Sequence, residues 1–324
     1  MHVSLTPVRI RVIAVLVILG FGGAGIALAA GRDGPARRVT VATTTSVTPS
    51  SVATTTVTTN VTTTTHAPTT THAPTPTTST PPATAPATTP PTAAPAPAPV
   101  VNSPLGSLRG RTITIDPGHD GGNYAHAAEI GRPIFIGTQT RACDTTGTQT
   151  NDGYTEAAYN LDVALRLRDV LQAAGANVVM TRTTNDGWGP CIDERAAIGN
   201  RAHADAAISI HADGGPAGGR GFHVLMPGLV AGYTDDIYSA SHTLGVDVRD
   251  AFLATGMPTS TYYASAGLAE RTDLGGLNLS NVPKVFIETG NMRNATDAAL
   301  LEGSDFRQAE AQALAAGLDR FLQR

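Results

Sequence analysis

From Val39 to Leu108 the sequence contains no Asp, Glu, Lys or Arg and is built almost wholly of Thr, Ala, Pro, Val and Ser. Such a stretch cannot bury enough apolar surface to offset the entropy of ordering it. A core must come from elsewhere, and in a chain of 324 residues that leaves the C-terminal part. Uncharged Thr/Pro-rich composition is that of an extended stalk, with or without O-linked sugar. We therefore expect a disordered spacer over residues 31–108 and one folded domain over residues 109–324.

Upstream, Arg9 and Arg11 precede an uncharged apolar run from Val12 to Ala30 that ends in the A-x-A pattern Ala27-Leu28-Ala29. This layout over residues 1–30 is that of a secretory signal peptide, and it predicts export to the periplasm, cell wall or extracellular space. Left uncut, the same run is long enough to span a bilayer and would anchor the chain. No other membrane contact is expected, because a net charge of -4 supplies no basic face for anionic lipid, nor one for nucleic acid. Lys284 is the only lysine among the 22 basic residues, which we read as codon preference rather than a recognition surface. Cys143 and Cys191 lack the C-x-x-C spacing of a structural zinc site. In an exported chain they predict one disulfide, worth roughly 4 kcal/mol on the chain-entropy account, with two buried thiols as the alternative.

From Arg109 onward the periods alternate. Strands are predicted at Thr112–Ile115, Asn177–Thr181, Ala206–Ile210, Phe222–Met226 and Lys284–Ile287, and helices at Thr155–Ala174, Ile192–Ala202, Asp235–Ala254 and Asp305–Leu322. That alternation predicts a single α/β domain with a mostly parallel sheet between helical layers. The segment 120–153, rich in Gly and Thr, has no readable period.

Three of the strand runs lead into a residue able to bind metal or move protons: Asp116-Pro117-Gly118-His119, His211 and Glu288. In open α/β sheets ligands bind outside the carboxyl ends of the strands, so these side chains can converge without sharing a local motif. Glu156 joins them if Thr155 caps the helix, and Asn160 lies one turn on along the same face. Each has a plain structural alternative. A loop histidine is commonly just solvated or hydrogen-bonded, and a glutamate in a first helical turn commonly just favours the helix dipole. Should Glu156 serve only that end, His126 or Asp213 would have to supply a third ligand. His203 and His242 fall in helical runs and His223 in a strand, so they read as structural or surface residues.

The blocks Asp116-Pro117-Gly118-His119, Glu156-x-x-x-Asn160-Leu161, Thr181-Arg182, Arg195, Ser209-Ile210-His211-Ala212-Asp213, Pro283 and Glu288-Thr289-Gly290 with Asn294 occur in the order found in a known family. Together they resemble the zinc-dependent N-acetylmuramoyl-L-alanine amidases of the Amidase_3 type. The resemblance implies that His119, Glu156 and His211 bind one Zn2+ and that Glu288 is the catalytic carboxylate. It implies peptidoglycan or muropeptides as the substrate, cut between N-acetylmuramic acid and L-alanine. The sequence departs from the family's usual pattern at Asp120, where Gly is common, and at Gly290-Asn291, where Gly-Phe is common. Two rival readings stay open: a zinc peptidase or amidase cutting another bond of the stem peptide, and a non-catalytic wall-binding stalk protein.

Overall fold

The computed structural model describes residues 105–324. The predicted leader and the expected spacer up to residue 104 lie outside the described residues. Chain order gives β1 (Thr112–Pro117), α1 (Ala127–Ile130), β2 (Pro133–Phe135), β3 (Thr140–Ala142), α2 (Glu156–Ala173), β4 (Asn177–Met180), α3 (Ile192–Arg201) and β5 (Ala206–Asp213). Then follow β6 (His223–Pro227), α4 (Tyr238–Phe252), β7 (Leu268–Arg271), α5 (Gly275–Asn278), β8 (Lys284–Asn291), α6 (Ala295–Leu301) and α7 (Ser304–Leu322).

Six strands form one sheet in the order β4-β1-β5-β8-β6-β7. All neighbours are parallel except β6 and β8, which are antiparallel. The expected α/β architecture is thus present. Because successive side chains of a strand point to opposite faces, the sheet carries two chemistries. Ile113, Ile115, Ile208, Ile210, Val285 and Ile287 point to one face and join the main core with residues of α2, α4 and α7. Thr114, Asp116, Ser209, His211, Lys284 and Glu288 alternate with them and so point to the other.

That second face is covered by α3 and α5. Gly199 of α3 lies against Thr114, where an added Cβ would sit 3.4 Å from the hydroxyl. Deeper in, Asp116 is 2% exposed and carries four donors: Thr181 Oγ1 (2.8 Å), Arg195 Nη1 (2.9 Å), Ser209 Oγ (3.0 Å) and Lys284 Nζ (3.0 Å). Burial alone would favour the neutral acid, but Lys284 and Arg195 hold the Asp116 carboxyl far below the usual carboxylate range. The only lysine of the chain is therefore a buried counter-ion.

Several sequence expectations need correction. Strands β5 and β8 run three and four residues past the predicted ends at Ile210 and Ile287, because each pairs with the other through His211 and Glu288 and, after a register shift, as far as Asp213 and Asn291. His203 does not sit in a helix. It occupies the turn after α3 with a left-handed backbone, φ 47°. The expected spacer boundary at 108 falls inside folded structure: Ser107 N donates to Asp319 Oδ1 (2.8 Å), and Leu108 is fully buried in the main core. The unreadable segment 120–153 contains α1 and the β2-β3 hairpin. It is tied down by the Cys143–Cys191 disulfide, the two residues being 48 apart in sequence. No helix of the described residues is long and apolar enough to cross a membrane.

Two outcomes follow from the buried charges. Lys284→Met leaves Asp116 short of a counter-ion and should lower unfolding free energy by about 3–5 kcal/mol, read from urea denaturation. In the main core, Glu310 is fully buried and accepts from Tyr159 Oη (2.7 Å). Burial pushes its carboxyl up to about 8, against the pull of Tyr159 and Arg307. Folded Glu310 thus keeps a proton that the unfolded chain has already lost above its ordinary value of 4.5, so this group's contribution to stability falls as pH rises from 4.5 toward 8. Glu310→Gln should flatten that decline, with a urea midpoint at pH 8 above wild type; an unchanged pH slope would show that Glu310 is ionised in the fold.

Candidate metal centre

The carboxyl edge of the sheet gathers the predicted side chains. His211 and Glu288 are directly paired in the parallel register of β5 and β8, so both project from the same face. His119 lies two residues beyond β1, and Glu156 opens α2. Thr155 caps that helix through a bond from Ala158 N (3.4 Å), which places Glu156 in the first turn as expected. Asn160, one turn later, donates to Gly118 O (3.1 Å) and Glu156 Oε1 (3.4 Å).

His119, Glu156 and His211 each offer one ligand atom, and these atoms all lie within 4.8 Å of one another. Glu156 Oε1 is 2.8 Å from His211 Nδ1 and 3.3 Å from His119 Nε2. Its other oxygen accepts from Thr148 N (2.9 Å). Among the described residues no other His, Cys, Asp or Glu group has this arrangement. His126 instead pairs with Glu129 and stacks on Trp188. Asp213 accepts from Tyr262 Oη (2.8 Å). Neither lies in the three-residue group, whereas the helix-start glutamate does. His223 is buried in β6 opposite Glu288, and burial holds it down at about 4. His242 donates from Nε2 to Pro227 O (3.0 Å) and lies 3.8 Å from Glu270 Oε1.

The backbone is shaped to bring the donors together. An added Cβ on Gly118 would lie 1.9 Å from His211 Cε1, so only glycine lets β1 run under the imidazole. One on Gly147, whose φ is 73°, would lie 2.7 Å from Glu156 Oε2 and 2.8 Å from His119 Cδ2. His119 itself has φ 56°, an uncommon region for a residue with a side chain. Arg195 Nη2 donates to its carbonyl (3.0 Å) and holds it there.

The electrostatics favour a cation. Burial opposes a charged His119, but the carboxylates of Glu156 and Asp144 outweigh it and push that imidazole up to about 10. Burial likewise opposes an ionised Glu156, yet His119 and His211 hold it well below the usual carboxylate range. Glu288 goes the other way: burial, Glu156 and Asp213 push its carboxyl well above the usual range. Its Oε2 is buried without a hydrogen-bond partner. Two imidazoles and a carboxylate are a donor set that suits zinc, with a position left for water or substrate, and a cation among them would relieve the orphaned acid beside them.

These groups line a cleft of about 600 Å³ that Arg141, Arg271 and Asp273 also line. Sequence reading missed Asp144 and Thr148, which contact His119 and Glu156 from the segment 120–153. The available signal was the cysteine pair. Cys143 precedes Asp144, and Cys191 caps the helix that carries Arg195, so a disulfide brings those two charges together.

Residues 113–320 match the family Amidase_3, described as N-acetylmuramoyl-L-alanine amidase. The chain is 41% identical over 219 residues to N-acetylmuramoyl-L-alanine amidase Rv3717 of Mycobacterium tuberculosis, covering 67% of this chain and 88% of that one. Among solved structures it is similar to the N-acetylmuramyl-L-alanine amidase Ami1 from Mycobacterium smegmatis, with 41% identity and a TM-score of 0.63 over 67% of this chain and 98% of that one. Ami1 from Mycobacterium abscessus, in its apo form, gives 39% identity and a TM-score of 0.62 over 66% of this chain and 99% of that one. With a family match over most of its length and relatives at this identity, the chain belongs to the Amidase_3 family of N-acetylmuramoyl-L-alanine amidases.

Proposed function

We propose that this protein is a zinc-dependent amidase that hydrolyses the bond between the lactyl group of N-acetylmuramic acid and L-alanine in peptidoglycan. The observation that carries this reading is the convergence of His119, Glu156 and His211 within 4.8 Å, with Glu288 in register beside His211. The three residues would hold the metal, and family membership supplies the substrate class. Export rests on the leader pattern of residues 1–30. The Thr/Pro-rich residues 31–108 would then serve as a spacer for the catalytic domain.

Zinc bound there supplies Lewis acidity that polarises the scissile carbonyl and acidifies water, whose pKa such sites lower toward about 7. The remaining steps belong to side chains. Glu288, as carboxylate, removes a proton from the water that attacks the carbonyl carbon. It returns that proton to the amine nitrogen of L-alanine as the carbon–nitrogen bond breaks. A positive charge at the three-residue cluster offsets the Glu156 carboxylate, which is a main cause of the raised Glu288 acid, and so favours the ionised form that this role needs. The stacked ring of Phe286, 3.9 Å from that of His211, keeps the imidazole from rotating away.

The test uses the purified full chain, with zinc content and the mass spectra of digested muropeptides measured on one preparation. One zinc per chain is expected, with products bearing a new amino terminus at L-alanine. Cleavage elsewhere in the stem identifies a peptidase instead, and absence of any product identifies a wall-binding protein. His119→Ala or His211→Ala should lose zinc and activity together. Glu288→Ala should keep zinc near one per chain while turnover falls by roughly 100-fold to 10,000-fold; full activity in that variant would refute the proton-transfer role. Glu156→Gln should weaken zinc binding, whereas full zinc and a wild-type rate would reduce Glu156 to a helix-start charge.

A further inference from the structure

His119 has two ring nitrogens with different neighbours. Nε2 faces Glu156 Oε1 at 3.3 Å, on the side of the metal-capable cluster. Nδ1 faces away, toward Asp144 Oδ1 (3.1 Å), Thr145 O (3.0 Å) and Thr145 Oγ1 (3.3 Å). A histidine that donates its Nδ1 hydrogen to such acceptors keeps the lone pair on Nε2 and points it in one direction.

Asp144 is 7% exposed, and of these three contacts it makes one itself and supports those of Thr145. Its Oδ1 also accepts from Thr145 N (2.7 Å), which fixes the turn that aims the Thr145 carbonyl at the same nitrogen. Its Oδ2 accepts from Arg195 Nη2 (3.0 Å). That Nη2 donates at the same time to His119 O (3.0 Å), so a single guanidinium holds the partner of the ring and the backbone of the ring's own residue. The disulfide of Cys143 to Cys191 joins the residue before Asp144 to the residue capping the Arg195 helix. Every link in this chain ends on one imidazole.

We propose that Asp144 is a positioning residue for the metal centre: it selects which nitrogen of His119 is protonated and aims the other at the ion, with Arg195 as its anchor. The inference rests on the zinc reading above. Were Asp144 only a counter-charge for Arg195, removing it would cost stability and leave metal affinity untouched. Arg195 keeps other acceptors in its absence, namely Asp116 Oδ1 and the carbonyls of Pro117, His119, Gly189 and Pro190, so the fold has support without it.

The experiment compares full-chain wild type, Asp144→Ala and Asp144→Asn. Zinc affinity is measured by competition with a chromophoric chelator, and the visible spectrum is recorded after cobalt(II) substitution. Asp144→Ala should bind zinc about 10- to 100-fold more weakly and shift the cobalt bands. In zinc-saturated enzyme kcat should fall while KM stays near wild type. Asp144→Asn is nearly isosteric and keeps only one acceptor oxygen, so it can serve His119 or Arg195 but not both; it should show a smaller loss in the same direction. It also carries the test if the alanine variant does not fold. Wild-type zinc affinity and a wild-type cobalt spectrum in a folded Asp144 variant overturn this proposal alone. A wild-type protein that binds no zinc overturns the zinc reading and this one together.

Discussion

A single buried carboxylate organises the catalytic face of this domain. Asp116 sits near the carboxyl end of β1 under four donors from β5, β8, α3 and the residue after β4. A charge so deep is tolerated only when it is paired and hydrogen-bonded on every side. The pairing is what ties those elements together at one height. Arg195, one of its partners, extends the network upward through Asp144 to His119. The line from Lys284 to the imidazole is thus an unbroken run of charge-assisted contacts, a stronger class of hydrogen bond than neutral ones.

The sheet divides labour between its faces. One face is plain hydrocarbon, with α2, α4 and α7 over it, and supplies the burial that stabilises the domain. The other holds the ionic network and, at its edge, the metal-capable cluster. Glu156 bridges the two, since α2 packs on the apolar face yet its first turn reaches the edge and the Ala212 backbone (3.5 Å). Rigid elements therefore supply His211, Glu156 and Glu288. Only His119 stands on irregular backbone, and it is the residue that receives the most external support.

That support comes from the segment least readable in advance. Residues 120–153 contribute Asp144 to His119 and Thr148 to Glu156, while the disulfide holds the segment to α3. A loop with few apolar residues has little burial to hold it in one place, and a covalent link between Cys143 and Cys191 restricts where it can lie. The same link sets the distance between Asp144 and Arg195. Stability and site geometry meet at this point of the chain.

Much of this was legible without coordinates. Periodicity located the five predicted strands and four predicted helices, because alternating and helical burial patterns are local properties of the chain. The chemistry-bearing positions His119, His211, Glu288 and Glu156 were legible because three follow apolar strand runs and one follows a capping threonine. Other features were not legible, for a common reason. Lys284 looked like a compositional accident, and only the fold brings it to Asp116, 168 residues away in sequence. Asp144 carried no local pattern, and its role exists only because a disulfide and a guanidinium deliver it to a particular ring nitrogen. That Glu156, and not His126 or Asp213, lies with His119 and His211 was likewise a matter of convergence in space. Local sequence determined which residues could form elements and which could do chemistry; tertiary structure alone decided which met, because electrostatic and hydrogen-bond partnership depends on distance in space and not along the chain.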